Sequence, residues 1–235
     1  MLRQVTRIFG GRAALNNVSC SFEKGKIYAL IGPNGAGKTT LIHIVNDVIR
    51  ASGGEVLLDG EPHDKHRNAA KNVYTVLAGD RGMYWRLTGR QNAVYFLSLK
   101  GMSRARAEQK IREGVSIMGE GFSLLLDRRM EELSFGQKKL IGVFAGIVSD
   151  AGYLIIDEIT EGLDVDIRQE LALLLRRVAA SGKAVIFATH DLPFAQSACD
   201  TAIFSRGGEI RSEVPVDEQT DLLRIYKSIH GEEHS

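Results

Sequence analysis

The chain has 235 residues, enough to bury a full core as one large domain or as a domain with an inserted lobe. Lys and Arg number 30 against 29 Asp and Glu, a formal net charge of +1. A nucleic-acid partner is not expected, because binding to phosphate backbones needs a concentrated basic surface.

The basic clusters Arg104/Arg106 and Arg128/Arg129 are short and read as solvated faces. Cys20 and Cys199 have no metal-ligand spacing, so reduced thiols in a cytosolic protein are the plain reading. No apolar run approaches the ~20 residues of a membrane helix, and Met1 to Thr6 lacks the apolar core of a signal peptide. If the chain works at a membrane, another polypeptide must carry the spans.

In chain order, the first stretch reads as β-rich. Val18 to Phe22, Ile27 to Ile31 and Glu55 to Leu58 are apolar segments divided by the turn chemistry of Lys24-Gly25-Lys26 and Ser52-Gly53-Gly54. An amphipathic stretch from Thr40 to Ile49 follows the second of them. After about Met83 the texture becomes helical. Ser103 predicts a cap for a helix with Ala107, Ile111, Val115 and Met118 on one face, and a second helix starts at Ser134 and runs through Leu140, Val143, Phe144 and Ile147. Tyr153 to Ile156 is a continuous apolar run, as in a strand covered on both faces. The next helix carries Leu171, Leu174, Leu175 and Val178 on a stripe, with Asp166 as its predicted cap and Gln169 reaching back. A strand at Ala184 to Ala188, a hairpin around Arg206-Gly207-Gly208-Glu209 and a polar tail from Val214 with a weak helical pattern complete the chain. The predicted architecture is an α/β core, residues 1–84 and 151–235, interrupted by a mostly helical lobe, residues 85–150.

The strongest motif is Gly32-Pro33-Asn34-Gly35-Ala36-Gly37-Lys38-Thr39, a match to G-x-x-x-x-G-K-[ST] between an apolar strand and an amphipathic helix that continues through Thr40. A strand turning through glycines into a helix start aims several backbone N–H groups at one spot, where the helix dipole also favours a polyanion. The motif predicts a nucleoside triphosphate site. Lys38 reaches the β- and γ-phosphates and Thr39 completes the shell of Mg²⁺. Asp157-Glu158 closes the strand Tyr153 to Ile156. A carboxylate there holds Mg²⁺ through water, and a second one polarises the attacking water as general base.

Leu133-Ser134-Phe135-Gly136-Gln137 closely resembles the LSGGQ signature of the ATP-binding cassette (ABC) ATPases, with Phe135 for the middle glycine. Other family markers then fall in order. Phe9 resembles the aromatic that stacks on adenine, Gly162-Leu163-Asp164 the D-loop, and His190 the switch histidine. The resemblance extends to about Ile210. It implies a P-loop NTPase fold, a RecA-like core with an N-terminal antiparallel β subdomain and an inserted α-helical subdomain. It further implies that Ser134, Gly136 and Gln137 serve the ATP of a second protomer, that His190 contacts the γ-phosphate and attacking water, and that Asp164 links the two sites. The catalytic residues so assigned are Glu158, His190 and Lys38.

Three positions depart from the family. Ile159 stands where the family has proline, which is expected to alter only local stiffness. Phe135 replaces a glycine. The Q-loop glutamine is missing near Gly79-Asp80, and Asp80 is the candidate for its metal contact. The segment Gly79 to Asn92 looks like cassettes of the ABC-2 exporter type, which pair a separate ATPase chain with a separate permease. The expectation is an ATPase subunit held at the inner face of the cell membrane by a permease, exporting a drug, antibiotic, polysaccharide or lipid. Met83, Tyr84 and Trp85 are expected to meet a permease helix. An importer ATPase is the same-class alternative. A soluble cassette acting on DNA or ribosomes would usually carry coiled-coil insertions or a second cassette. A non-hydrolysing module would not need Glu158 and His190.

Overall fold

The computed structural model describes residues 1–63, 69–77, 82–118, 120–160 and 162–231. Strands β1 (Leu2–Phe9), β2 (Arg12–Cys20), β4 (Gly53–Leu58) and β5 (Glu61–Pro62) form an antiparallel sheet in the order β2-β1-β4-β5. A second sheet has the order β10-β9-β3-β8-β7-β6, built from β3 (Ile27–Ile31), β6 (Val73–Val76), β7 (Tyr153–Ile156), β8 (Ala184–Thr189), β9 (Thr201–Arg206) and β10 (Glu209–Pro215). All its pairings are parallel except the β9–β10 hairpin, which falls where the turn Gly207-Gly208 predicts it.

The unbroken apolar runs of β3, β7 and β8 follow from burial on both faces. Alternate residues of β3 serve different cores. Ile27, Ala29 and Ile31 join one with Ile156, Phe187 and Phe144. Tyr28 and Leu30 join another with Leu2, Val5 and Val18 of the first sheet and with Leu41, Ile42 and Ile44 of α1 (Lys38–Val45). Helix α1 therefore packs between the two sheets, and the position of its first turn is fixed from both sides. The short helix α2 (Ala69–Asn72) leads into β6.

Between β6 and β7 lie α3 (Gly89–Leu99), α4 (Arg104–Met118), α5 (Glu120–Asp127) and α6 (Phe135–Val148). Helices α3 and α6 each start with a reciprocal cap, Thr88 with Gln91 for α3 and Ser134 with Gln137 for α6. Ser103 accepts from the Arg106 N–H at 3.4 Å, the predicted start of α4. At the other end of α6, the Lys183 ammonium donates to the carbonyls of Ser149 and Ala151, at 2.6 and 2.8 Å, and ties that end to the start of β8.

Helix α7 (Val165–Ala180) corrects one sequence expectation. Its cap is Asp164, whose Oδ1 accepts from the Ile167 N–H at 2.9 Å, and Asp166 sits inside the first turn. Two aspartates two positions apart offer equal caps by type. The extended backbone at Asp164 (φ −74°, ψ 173°) decides between them. Helix α8 (Leu192–Ala198) is capped by Asp191, and α9 (Leu222–His230) gives the polar tail a defined place against β9. The ring of His230 lies within hydrogen-bonding distance of the Ser205 carbonyl, 3.1 Å, and Arg206 donates to Ile229 O at 2.7 Å.

Candidate functional site

The loop Gly32 to Gly37 leaves the buried end of β3 and enters α1. Gly37 caps the helix at φ 98°, and a Cβ there would come within 2.8 Å of Ala14 O, so the position is closed to other residues. Gly37 brings no side-chain cap, so the N–H groups of the first turn stay available to an anion. An open depression of about 220 Å³ lies over this turn, lined by Asn34, Gly35, Ala36, Gly37, Lys38, Thr39, Thr40, Ala14 and Glu158. The Lys38 ammonium spans the loop, donating to Gly32 O at 2.6 Å and Pro33 O at 3.0 Å. Burial pushes its pKa down, and the carboxylates of Glu158 and Asp157 oppose that shift.

The acidic pair stands opposite. Asp157, almost wholly buried at the end of β7, accepts from Thr39 Oγ1 at 3.3 Å through Oδ2. Its Oδ1 is buried with no hydrogen-bond partner among the described residues. Burial, then the charge of Glu158, pushes the Asp157 carboxyl up. A hydroxyl and a partly unsatisfied carboxylate are hard oxygen donors, so Thr39 and Asp157 fit Mg²⁺. Asp80 lies outside the described residues.

Glu158 is a non-glycine residue at φ 48°, a conformation that costs about 1–3 kcal/mol and persists only where the surroundings impose it. Its Oε2 lies 3.2 Å from Nδ1 of His190, which follows β8. The His190 side chain is largely exposed. The cap of the following helix is Asp191, whose Oδ1 accepts from the Phe194 N–H at 2.9 Å, and not His190. Replacing proline with Ile159 does more than change stiffness. Its N–H donates to Ala188 O at 3.2 Å, a bond that proline cannot make, and its side chain is fully buried.

Phe9 is 46% exposed at the tip of the β1–β2 hairpin that also supplies Ala14. It is therefore no core residue. The Arg7 guanidinium lies over its ring, 4.4 Å from the centroid.

The remaining expected residues gather at a second place. Ser134 Oγ accepts from the Gln137 N–H at 3.2 Å while the Gln137 side chain accepts from the Ser134 N–H at 3.1 Å, so both side chains serve the start of α6. Gly136 lies against the D-loop, and a Cβ on it would meet the Leu163 side chain at 2.9 Å. Asp164 commits Oδ1 to capping α7. Sequence reasoning missed Lys139, whose ammonium donates to the Glu158 carbonyl oxygen. Its only sequence signal is a cation one turn into a helix.

A family model described as ABC transporter matches residues 15–161, more than half of the chain. The chain belongs to that family. It is an ATP-binding and ATP-hydrolysing cassette with the P-loop NTPase fold, an α/β core carrying an antiparallel sheet and an inserted set of helices. Among its relatives is the ABC transporter ATP-binding protein NatA of Bacillus subtilis, 28% identical over 200 residues that span 84% of this chain and 80% of NatA. The Fe(3+) ions import ATP-binding protein FbpC of Escherichia coli O157:H7 is 26% identical over 225 residues, 95% of this chain and 63% of FbpC. A bacterial ABC transporter cassette solved as a dimer superposes with a TM-score of 0.78 at 22% identity, over 92% of this chain and 98% of that one. No helix among the described residues is long and apolar enough to cross a membrane.

Proposed function

We propose that this cassette forms an ATP-sandwiched dimer that drives a separate transmembrane permease, for export of a drug, antibiotic, polysaccharide or lipid. The observation that carries the reading is the division of the site. Lys38, Thr39 and Glu158 line one depression, with Asp157 bonded to Thr39 and His190 beside Glu158, while Ser134 and Gly136 open α6 beside the D-loop. A second protomer brings its α6 start to the first protomer's phosphates, where free N–H groups and the helix dipole favour anionic oxygen.

In this reading the N–H groups from Gly35 to Thr39 and the Lys38 ammonium hold the phosphates. Phe9 stacks on the base with the ring face that Arg7 leaves open. Thr39 and Asp157 hold Mg²⁺, which when bound neutralises charge on the β- and γ-phosphates. Glu158 takes the proton of the attacking water, and His190 orients that water and the γ-phosphate. Asp164 has Oδ2 left to reach across the interface.

The permease docks in a cavity of about 330 Å³ lined by Val76, Leu77, Met83, Phe96, Leu99 and Gly142, among others. Tyr84 and Trp85 lie exposed at the positions after Met83. Such an assembly sits on the inner face of the membrane. Export rests on the exporter-like segment Gly79 to Asn92. Import is the second reading, favoured by the likeness to FbpC.

Size-exclusion chromatography of Glu158→Gln tests the dimer. With ATP the variant should elute as a dimer, and wild type with ADP as a monomer. A monomer under both conditions would contradict the sandwich.

A further inference from the structure

Helix α6 opens with the serine and glycine assigned to a partner's nucleotide, yet its next residues touch the base-bearing segment of their own chain. Phe135, the residue that departs from the signature, packs its ring on Gly162, which has φ 71° and where a Cβ would collide with that ring. One turn along, Lys139 is 3% exposed and lies 5.8 Å from the centroid of the Phe135 ring. Among its partners is the carbonyl oxygen of Glu158.

That carbonyl belongs to the same peptide unit as the N–H of Ile159, which donates to Ala188 O at 3.2 Å. The Glu158–Ile159 peptide is therefore gripped at both ends, by α6 through its oxygen and by β8 through its nitrogen. A peptide plane held this way fixes ψ of Glu158, and the left-handed φ of 48° then sets the direction in which the side chain leaves the backbone. That direction takes Oε2 to within 3.2 Å of His190. Lys139 also lines the apolar groove beside Val76 and Gly142, so the groove wall and the peptide of Glu158 share one side chain.

We propose that Lys139 is a positioning residue for hydrolysis, holding the Glu158 peptide so that its carboxylate faces His190 and the attacking water. The proposal rests on the reading of Glu158 as general base. It assigns to this chain a contact within one protomer between the signature helix and the catalytic carboxylate, made possible by a lysine at 139 and a hydrogen-bonding residue, not proline, at 159.

The test uses the purified full chain. Lys139→Leu should lower kcat about tenfold or more while the ATP affinity from fluorescence titration and the melting temperature stay near wild type. Lys139→Arg, which keeps a cationic donor of similar reach, should restore most of the rate. Should the leucine variant not fold, Lys139→Gln serves, polar but too short to reach the carbonyl, with the same split expected between kcat and affinity. A kcat within about twofold of wild type, with Glu158→Gln inactive, overturns the proposal. So does a joint loss of rate, affinity and melting temperature that arginine fails to restore, which assigns Lys139 to packing. Near wild-type turnover in Glu158→Gln instead removes the general-base reading and, with it, the proposal's premise.

Discussion

Nδ1 of His190 lies 3.2 Å from Oε2 of Glu158, joining the ends of β7 and β8, neighbouring parallel strands separated in sequence by the whole of α7. The pair is held from behind by buried chemistry. Thr160 and Thr189 share a hydrogen bond of 3.1 Å between their hydroxyls, and Ile159 bonds to Ala188. The strand ends therefore present the carboxylate and imidazole together, next to the phosphate loop that leaves adjacent β3.

Among the described residues, the ammonium of Lys38 is the one cation lining the depression over the loop. Lys38→Ala should weaken ATP binding by at least about tenfold, the value of a lost charge-assisted hydrogen bond. Fluorescence titration measures it, and unchanged affinity would remove the phosphate-loop assignment.

Phe9 separates binding from folding. Its exposure means that Phe9→Ala should leave the melting temperature near wild type. A stack on a base is worth ~1–3 kcal/mol and reads the π-face alone, so ATP and GTP should both bind about ten- to a hundredfold more weakly. A lower melting temperature with intact affinity would make the ring a packing group.

Asp157 sets function against stability. Burial, then Glu158, raises its carboxyl above the ordinary range. A carboxyl with a folded pKa above its unfolded value holds its proton longer in the folded state. Folded stability therefore falls as pH rises from the unfolded value through the folded one, and the cost is fully present above both. Asp157→Asn removes that cost. Without nucleotide or cation the variant should melt above wild type near neutral pH. Calorimetry from about pH 4 to about pH 8 should show the gap widening as pH rises. Magnesium-dependent turnover should be lost. A variant less stable than wild type at neutral pH would contradict the account.

Much of this site was legible because it is local in sequence. Gly32 to Thr39 specify strand, turn and helix start within one loop, and Ser134 with Gln137 spells a reciprocal cap. The strands β3, β7 and β8 were legible because both faces are buried, which leaves no polar interruption. What escaped depends on distant pairs. Asp164 rather than Asp166 caps α7, next to Leu163, which is buried against Gly136 of α6, and no residue near it in sequence reports that contact. Phe135 on Gly162 and Lys139 on Glu158 join segments about twenty or more residues apart, so composition and spacing carry no trace of them. The first sheet was read only in part. The apolar rhythm of β2 is broken by Asn17 at φ 52° and by register shifts against β1.

Tyr84 and Trp85 are about half exposed beside the groove, and Trp85 carries Lys138 over its ring at 4.1 Å. The Tyr84 hydroxyl donates to, or accepts from, that of Tyr95 at 2.9 Å. Aromatic side chains so placed are typical interface anchors. Tyr84→Glu should leave ATP turnover of the isolated chain intact while co-purification with the proposed permease is lost. Unfolding of the isolated variant would show that Tyr84 serves internal packing.

The most direct test of the account is ATP turnover by Glu158→Gln, measured beside ATP affinity. The amide keeps the shape of the side chain and loses the base, and a positioned general base contributes about 10²–10⁴-fold. The account predicts wild-type affinity for ATP with turnover slowed at least about a hundredfold. Hydrolysis at close to the wild-type rate, with binding intact, would contradict it.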